Sequence, residues 1–249
     1  FIYKINFCIK FIMATDLILC GAIVTTNDEQ KIEQTIKSIE KHNFNKKYLL
    51  FDGPPQSQLK KNYDGYTEGH QRYTKYKNYI KKHYPDFEVI EHTENIYYKP
   101  MLDNFIRNND LAKNLLIIQD DVLLDDFDLE KVLETKADFD DCKILYFREN
   151  RLRCKHWFNV IDDTQVLIKT HGWSERVYLT TKEDLIDILD NLPLKGGKNG
   201  KFIDVYYQNM MQRKTWATIT DEEQSEYWKN WGTYEHNNIH HKHLVAKRS

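Results

Sequence analysis

Leu115-Leu116-Ile117-Ile118-Gln119-Asp120-Asp121-Val122-Leu123-Leu124 is the stretch on which the reading of this 249-residue chain turns. Four apolar residues followed abruptly by two carboxylates predict a strand buried on both faces whose end emerges at a cleft. Adjacent acidic side chains repel each other, so a fold that holds them beside an apolar run compensates them with a cation, an arginine or water. A hard divalent cation is the sharper reading, because ligands of open α/β sheets bind outside the carboxyl ends of the strands. A solvated turn after a core strand is the alternative.

Working outward from there, strands and helices alternate. Leu17 to Thr25 is apolar and predicts a central strand running into a helix whose N-cap is Asn27, with Gln30 at capping-box spacing. Ile32, Ile36 and Ile39 recur at helical intervals, and the pattern stops near His42-Asn43. Tyr48 to Phe51 predicts a second strand, turned by Asp52-Gly53-Pro54-Pro55. Gln56 to Thr67 is polar loop, and Tyr73, Tyr76, Tyr79, Ile80 and His83 predict an aromatic-faced helix ending before Pro85. Phe87 to Ile90 predicts a third strand, and Pro100 to Asn109 a helix leading into the strand that ends at Asp121. Such alternation predicts an α/β fold with a mostly parallel, doubly wound sheet. The second half is less regular. Strands are predicted at Ile144 to Phe147, Gln165 to Lys169 and Val177 to Thr180, and a helix at Lys182 to Leu192. The glycines of 196–200 predict a mobile loop before a Phe202 to Gln212 segment.

Length and composition bound the possibilities. The chain can bury one full core, read as a single domain over 13–249, with a regular half at 13–125 and a less regular half with a C-terminal tail at 126–249. Residues 1–12 precede Met13-Ala14-Thr15-Asp16, which reads like a start, and are expected to be an upstream extension. With 36 basic and 38 acidic residues, net charge −2, nothing draws the chain to nucleic acid or an anionic membrane. Cys8, Cys20, Cys142 and Cys154 show no Cys-x-x-Cys spacing, and a reducing compartment is expected. No apolar run approaches the ~20 residues of a membrane span. The expectation is a soluble, cytoplasmic protein, in the host cytoplasm if the AT-rich residue bias is viral rather than bacterial.

Asn27, Asp52 and Asp121 follow three strands predicted to be parallel, which gathers them along one sheet edge. A nucleoside diphosphate would fit there, its base at Asp52 and its pyrophosphate bridged by a metal at Asp121. A plain turn carboxylate is the alternative for Asp52. Asp204, between Ile203 and Val205, is exposed, at a helix N-terminus or functional, since a carboxylate has little other reason to stand there.

The order Ile23-Val24-Thr25-Thr26-Asn27, Thr35-Ile36-Lys37-Ser38-Ile39, Leu50-Phe51-Asp52-Gly53 and Ile118-Gln119-Asp120-Asp121-Val122 resembles nucleotide-sugar-dependent glycosyltransferases of the GT-A fold. Gly172, Tyr178-Leu179 and Phe202-Ile203-Asp204-Val205-Tyr206 are more similar to lipooligosaccharide and collagen galactosyltransferases than to polysaccharide synthases. In that family an Asp-x-Asp or Glu-Asp-Asp triplet holds the metal and the sugar-nucleotide. Here Gln119 replaces the first acid and Asp121 keeps the metal position. The resemblance implies a donor nucleoside diphosphate sugar, UDP-sugar favoured, a glycan or glycoprotein acceptor, and Mn2+ or Mg2+. It further implies that Thr25, Asn27, Asp52, Gln119 and Asp120 lie near the nucleotide, that Lys99 and Asn104 line the pyrophosphate, that Asp204 faces the acceptor, and that a C-terminal histidine, His236 or His241, joins Asp121 on the metal.

Two other classes compete. A sugar-1-phosphate nucleotidyltransferase ordinarily carries a Gly-rich loop after its first strand, and Thr25-Thr26-Asn27-Asp28 has none. A catalytically silent carbohydrate-binding relative is allowed by Gln119.

Overall fold

The computed structural model of the protein describes residues 14–21, 28–53, 66–149, 160–163, 166–170, 176–191 and 232–244. Four parallel strands build its first half: β1 (Thr15–Gly21), β2 (Lys47–Phe51), β3 (Glu88–Glu91) and β4 (Asn114–Gln119), ordered β3-β2-β1-β4. Parallel neighbours need crossovers, here helices α1 (Asp28–Ile39), α2 (Tyr66–His83) and α3 (Tyr98–Asn108).

Side chains of successive strand residues point to opposite faces, so each strand divides its apolar residues between two cores. Leu17, Leu19, Leu49, Phe51, Leu116 and Ile118 meet Ile32, Ile36 and Ile39 of α1 and Tyr73, Tyr76 and Ile80 of α2. Ile18, Cys20, Tyr48, Leu50, Leu115 and Ile117 meet Met101, Leu102, Phe105 and Ile106 of α3. Each such buried side chain contributes about 1.5–3 kcal/mol, which is why these strands read as unbroken apolar runs. At the sheet's far edge Asp16 is fully buried, yet its oxygens accept from Asn45 Nδ2, Lys46 N and Ala112 N at 2.9, 3.0 and 2.7 Å.

The opening stretch does not remain one strand. β4 ends at Gln119, the chain turns at Asp120-Asp121, and β5 (Val122–Leu124) departs to pair elsewhere. α4 (Leu129–Ala137) then packs on the first core, its N-terminus capped by Asp128, which accepts from Lys131 N. β6 (Ile144–Glu149), β8 (Leu167–Thr170), β9 (Val177–Thr181) and α5 (Lys182–Asn191) fall close to their predicted positions, and β7 (Val160–Asp163) is added at the edge. The less regular half thus extends the same sheet, in the order β4-β9-β6-β10-β8-β7, with β9 antiparallel to both of its neighbours. No helix among the described residues is long and apolar enough to cross a membrane.

β10 (Thr233–His243) corrects the sequence reading most. What the sequence reads as a C-terminal tail is here an 11-residue strand between β6 and β8 that also carries β5. Its buried polar groups and the tyrosines around them are paired. Tyr146 Oη donates to Glu235 Oε2 at 2.8 Å, Tyr234 Oη donates to Asp141 at 2.6 Å, and His241 Nδ1 is 2.7 Å from the Phe147 carbonyl.

Candidate active site

The C-terminal edge of the parallel strands gathers the chemistry. Gly21 pairs with Phe51 and Cys20 with Gln119, so Asp52 and Asp120 leave the sheet on either side of Gly21, two strand spacings or about 10 Å apart. β3 runs out at the same edge, which brings the start of α3 there as well.

The acidic turn is held from three sides. Thr35, fully buried on α1, donates from its hydroxyl to the Asp120 carbonyl at 2.9 Å, and Ser38 Oγ accepts from Leu124 N at 3.3 Å. Tyr76 of α2 donates to Asp120 Oδ2 at 2.9 Å. Just past the end of β10, Leu244 N donates to the Asp121 carbonyl at 2.7 Å. Both acidic side chains are half-buried, as is Gln119, whose N–H donates to the Arg176 carbonyl at 2.8 Å.

Asp52 has a different part from the one its position suggested. It is 1% exposed; Oδ1 accepts from Ile96 N at 2.7 Å, and Oδ2 from Asn95 Nδ2 at 2.8 Å and Tyr97 N at 2.9 Å. Burial pushes its carboxyl above the usual aspartate range, against the opposing pull of backbone hydrogen bonds from Ile96, Tyr97 and Gly53. The carboxylate thereby holds the chain's own 95–97 turn, the plain turn role that was the alternative for this residue. That turn takes Tyr97 into the left-handed half of backbone space, φ 69°, just before α3 begins.

Lys99, in the first turn of α3, is 5% exposed, and burial pushes its ammonium below the usual lysine range, with Asp103 partly opposing. Asn104 is not with it. It lies exposed on the outer side of α3, where its Oδ1 and its carbonyl both accept from Asn108 Nδ2 at 2.8 Å. Thr25, Asn27 and Asp204 lie outside the described residues.

The register of β10 separates the histidines from the acidic turn. Leu244 is level with Asp121, while His241 faces Leu124, three residues or about 10 Å along the strand, and His236 lies beyond a bulge. Metal ligands need side-chain atoms a few ångströms apart, and no group of three or more His, Cys, Asp or Glu among the described residues is so placed. The register thus does not bring His236 or His241 together with Asp121. The acidic turn still suits a hard cation of another kind. Mg2+ and Mn2+ take one or two carboxylates from a protein and fill the rest of their shell with phosphate oxygens and water.

His236 instead pegs the bulge, its Nδ1 accepting from Asn238 N and Ile239 N at 3.2 Å each. Burial, with His240 nearby, pushes its imidazole down to about 4. The folded state thus holds His236 neutral while the unfolded chain takes up a proton near 6.5. Stability from this residue is complete above that value and is lost as pH falls toward about 4. Urea unfolding at pH 7 and pH 5 should show a loss of about 2 kcal/mol from this residue. His236→Gln should flatten that limb, and an unchanged acid limb would mean the ring is accessible to protons in the fold.

Sequence reasoning missed Thr35, Ser38, Tyr76, Gly21 and Asn95. One signal was present: Thr35 shares the apolar face of Ile32, Ile36 and Ile39, where a hydroxyl needs a partner.

No protein-family model and no curated protein matches the chain. Among solved structures, the crystal structure of GalNAc-T7 with UDP, GalNAc and Mn2+ is similar with a TM-score of 0.54 at 8% identity. That likeness covers 94% of this chain and 44% of the other, so the chain spans less than half the length of that protein. S. aureus TarS 1-349 is similar with a TM-score of 0.43 at 15% identity, over 78% of this chain and 55% of that one. With its multi-stranded sheet flanked by helices on both faces, the chain has the GT-A-like α/β fold that it shares with the first of these.

Proposed function

We propose that the protein is a metal-assisted glycosyltransferase that moves a sugar from a nucleoside diphosphate sugar, UDP-sugar by preference, to an acceptor hydroxyl on a glycan or protein. The observation that carries this reading is that Asp120 and Asp121 follow β4 at the C-terminal edge of the parallel strands, the edge at which α3, with the buried Lys99 in its first turn, also begins. Carboxylates for a cation and a desolvated ammonium for an anion are the complement of a metal diphosphate. The GT-A-like fold, and the UDP and Mn2+ in the GalNAc-T7 structure, support the same reading.

In this account Asp121 holds Mn2+ or Mg2+, which when bound supplies positive charge to the departing diphosphate. Lys99 faces the same phosphates. Its charged form is disfavoured by burial until an anion arrives, so the site is built to gain from binding one. Thr25, Asn27 and Gln119 flank the nucleotide, while Asp52 acts at one remove by fixing the 95–97 turn from which α3 and Lys99 start. If the transfer inverts the anomeric centre, Asp204 takes the proton from the attacking acceptor hydroxyl, a step worth about 10²- to 10⁴-fold; if it retains configuration, Asp204 binds acceptor hydroxyls. Asp204→Asn is expected to lower kcat by that amount with donor binding unchanged. A raised acceptor KM at nearly normal kcat would assign Asp204 to acceptor binding, and unaltered kinetics would assign it to structure.

The reading is tested by incubating the protein with a panel of UDP- and GDP-sugars and Mn2+ and following release of the nucleoside diphosphate. Turnover with at least one donor is expected. No turnover with any donor, with or without glycan acceptors, would leave only a binding protein on this fold.

A further inference from the structure

α2 carries two tyrosines three residues apart that reach the two carboxylate-bearing turns on either side of β1. Tyr73 Oη donates to the Asp52 carbonyl at 3.0 Å, and Tyr76 Oη donates to Asp120 Oδ2 at 2.9 Å. Both rings stand edge-on against Phe51, with centroids 5.7 and 5.3 Å away. Tyr76 is 3% exposed, so its hydroxyl has been taken from water and placed against that oxygen. The carboxylate it holds lies over Gly21, where a Cβ would fall 2.9 Å from Asp120 Oδ2. Hydrogen bond and missing side chain act on the same atom from two elements.

We propose that Tyr76 is a positioning residue for the acidic pair, fixing Asp120 over Gly21 so that Asp121 is the carboxylate turned to the metal diphosphate. The functional half of this inference rests on the donor-binding reading above. Two carboxylates on consecutive residues repel, and a neutral donor on Asp120 Oδ2 holds that carboxylate in one place as a cation approaches. Tethering a ligand-side carboxylate from outside the site is also how such groups are kept in one rotamer, and loss of the tether typically costs about 10- to 100-fold in metal affinity.

Two variants disturb Asp120 by opposite means. Tyr76→Phe withdraws the hydrogen bond and keeps the ring on Phe51. Gly21→Ala pushes the carboxylate, which is the far end of a flexible side chain, and needs no unusual backbone angle. Tyr73→Phe, on the same helix, is the control, since it loses a bond of similar length to the Asp52 backbone carbonyl. Crystal structures of Tyr76→Phe and Gly21→Ala are expected to show the Asp120 carboxylate displaced from Gly21. In Mn2+-dependent UDP titration both variants should bind about tenfold more weakly, with Tyr73→Phe close to wild type. An unmoved Asp120 in Tyr76→Phe, or a displaced one with wild-type UDP affinity, overturns the positioning role. If the wild-type protein does not bind UDP or GDP at all, the donor reading falls, and the functional half of this inference falls with it. The crystal structures then decide separately whether Tyr76 sets the Asp120 rotamer.

Discussion

Asp121→Ala is expected to abolish transfer, lowering kcat/KM by at least about 10²-fold, a loss of the size seen when a charge-stabilising group is removed from a reacting centre. Its melting temperature should stay near wild type. The bond that fixes the turn at this residue runs to its backbone carbonyl, from Leu244 N, and survives truncation of the side chain. What is lost is the half-buried carboxylate proposed to offer a hard oxygen to the metal. Gln119→Ala should be milder, because a neutral amide adds little to the affinity of a hard cation. Steady-state kinetics with saturating Mn2+ decide the matter. If Asp121→Ala keeps nearly normal turnover, the acidic pair is a structural turn.

Gly53→Ala is expected to be the most damaging single methyl added to the described residues near the site. A Cβ there would sit 2.2 Å from the Glu94 carbonyl carbon, 2.4 Å from its oxygen and 2.7 Å from Asn95 N, all backbone atoms that cannot rotate away. The 94–97 turn must then lift off the end of β2. Lifting it strips Asp52 of Asn95, Ile96 and Tyr97 together and leaves a buried carboxylate without donors. Overpacking and lost buried hydrogen bonds together place the loss at about 3–5 kcal/mol, or a melting temperature lower by about 10 °C for a chain of this size. Thermal unfolding measures it, and a shift under about 2 °C would show that the turn can open at little cost.

Where one face or both faces of an element are apolar, the sequence exposed it. Leu115 to Ile118 announced β4, and Ile32, Ile36 and Ile39 announced α1, because burial and periodicity leave a direct imprint on residue choice. β10 left no such imprint. Glu235, His236 and His241 sit in the middle of the sheet because Tyr146, the bulge N–H groups and the Phe147 carbonyl satisfy them, and those partners come from distant parts of the chain. The site divides in the same way. That Asp52, Asp120 and Asp121 share an edge followed from the alternation of strands and helices. What their carboxylates touch did not, since Asp52 is committed by a turn more than forty residues later and Asp120 by a tyrosine forty-four residues earlier. Lys99 and Asn104 show the limit most plainly. They stand five positions apart on one helix, yet one is buried and the other is exposed.

The central claim is that the acidic edge binds a nucleoside diphosphate through a divalent cation, and calorimetric titration of the protein with UDP tests it most directly. With Mn2+ present, saturable binding is expected, and UDP at about 100 times its Kd should stabilise the fold by about 2.7 kcal/mol. With a chelator in place of Mn2+, or with Asp121→Ala in place of the wild type, the binding heat should disappear. Equal UDP binding in all three titrations would contradict the claim.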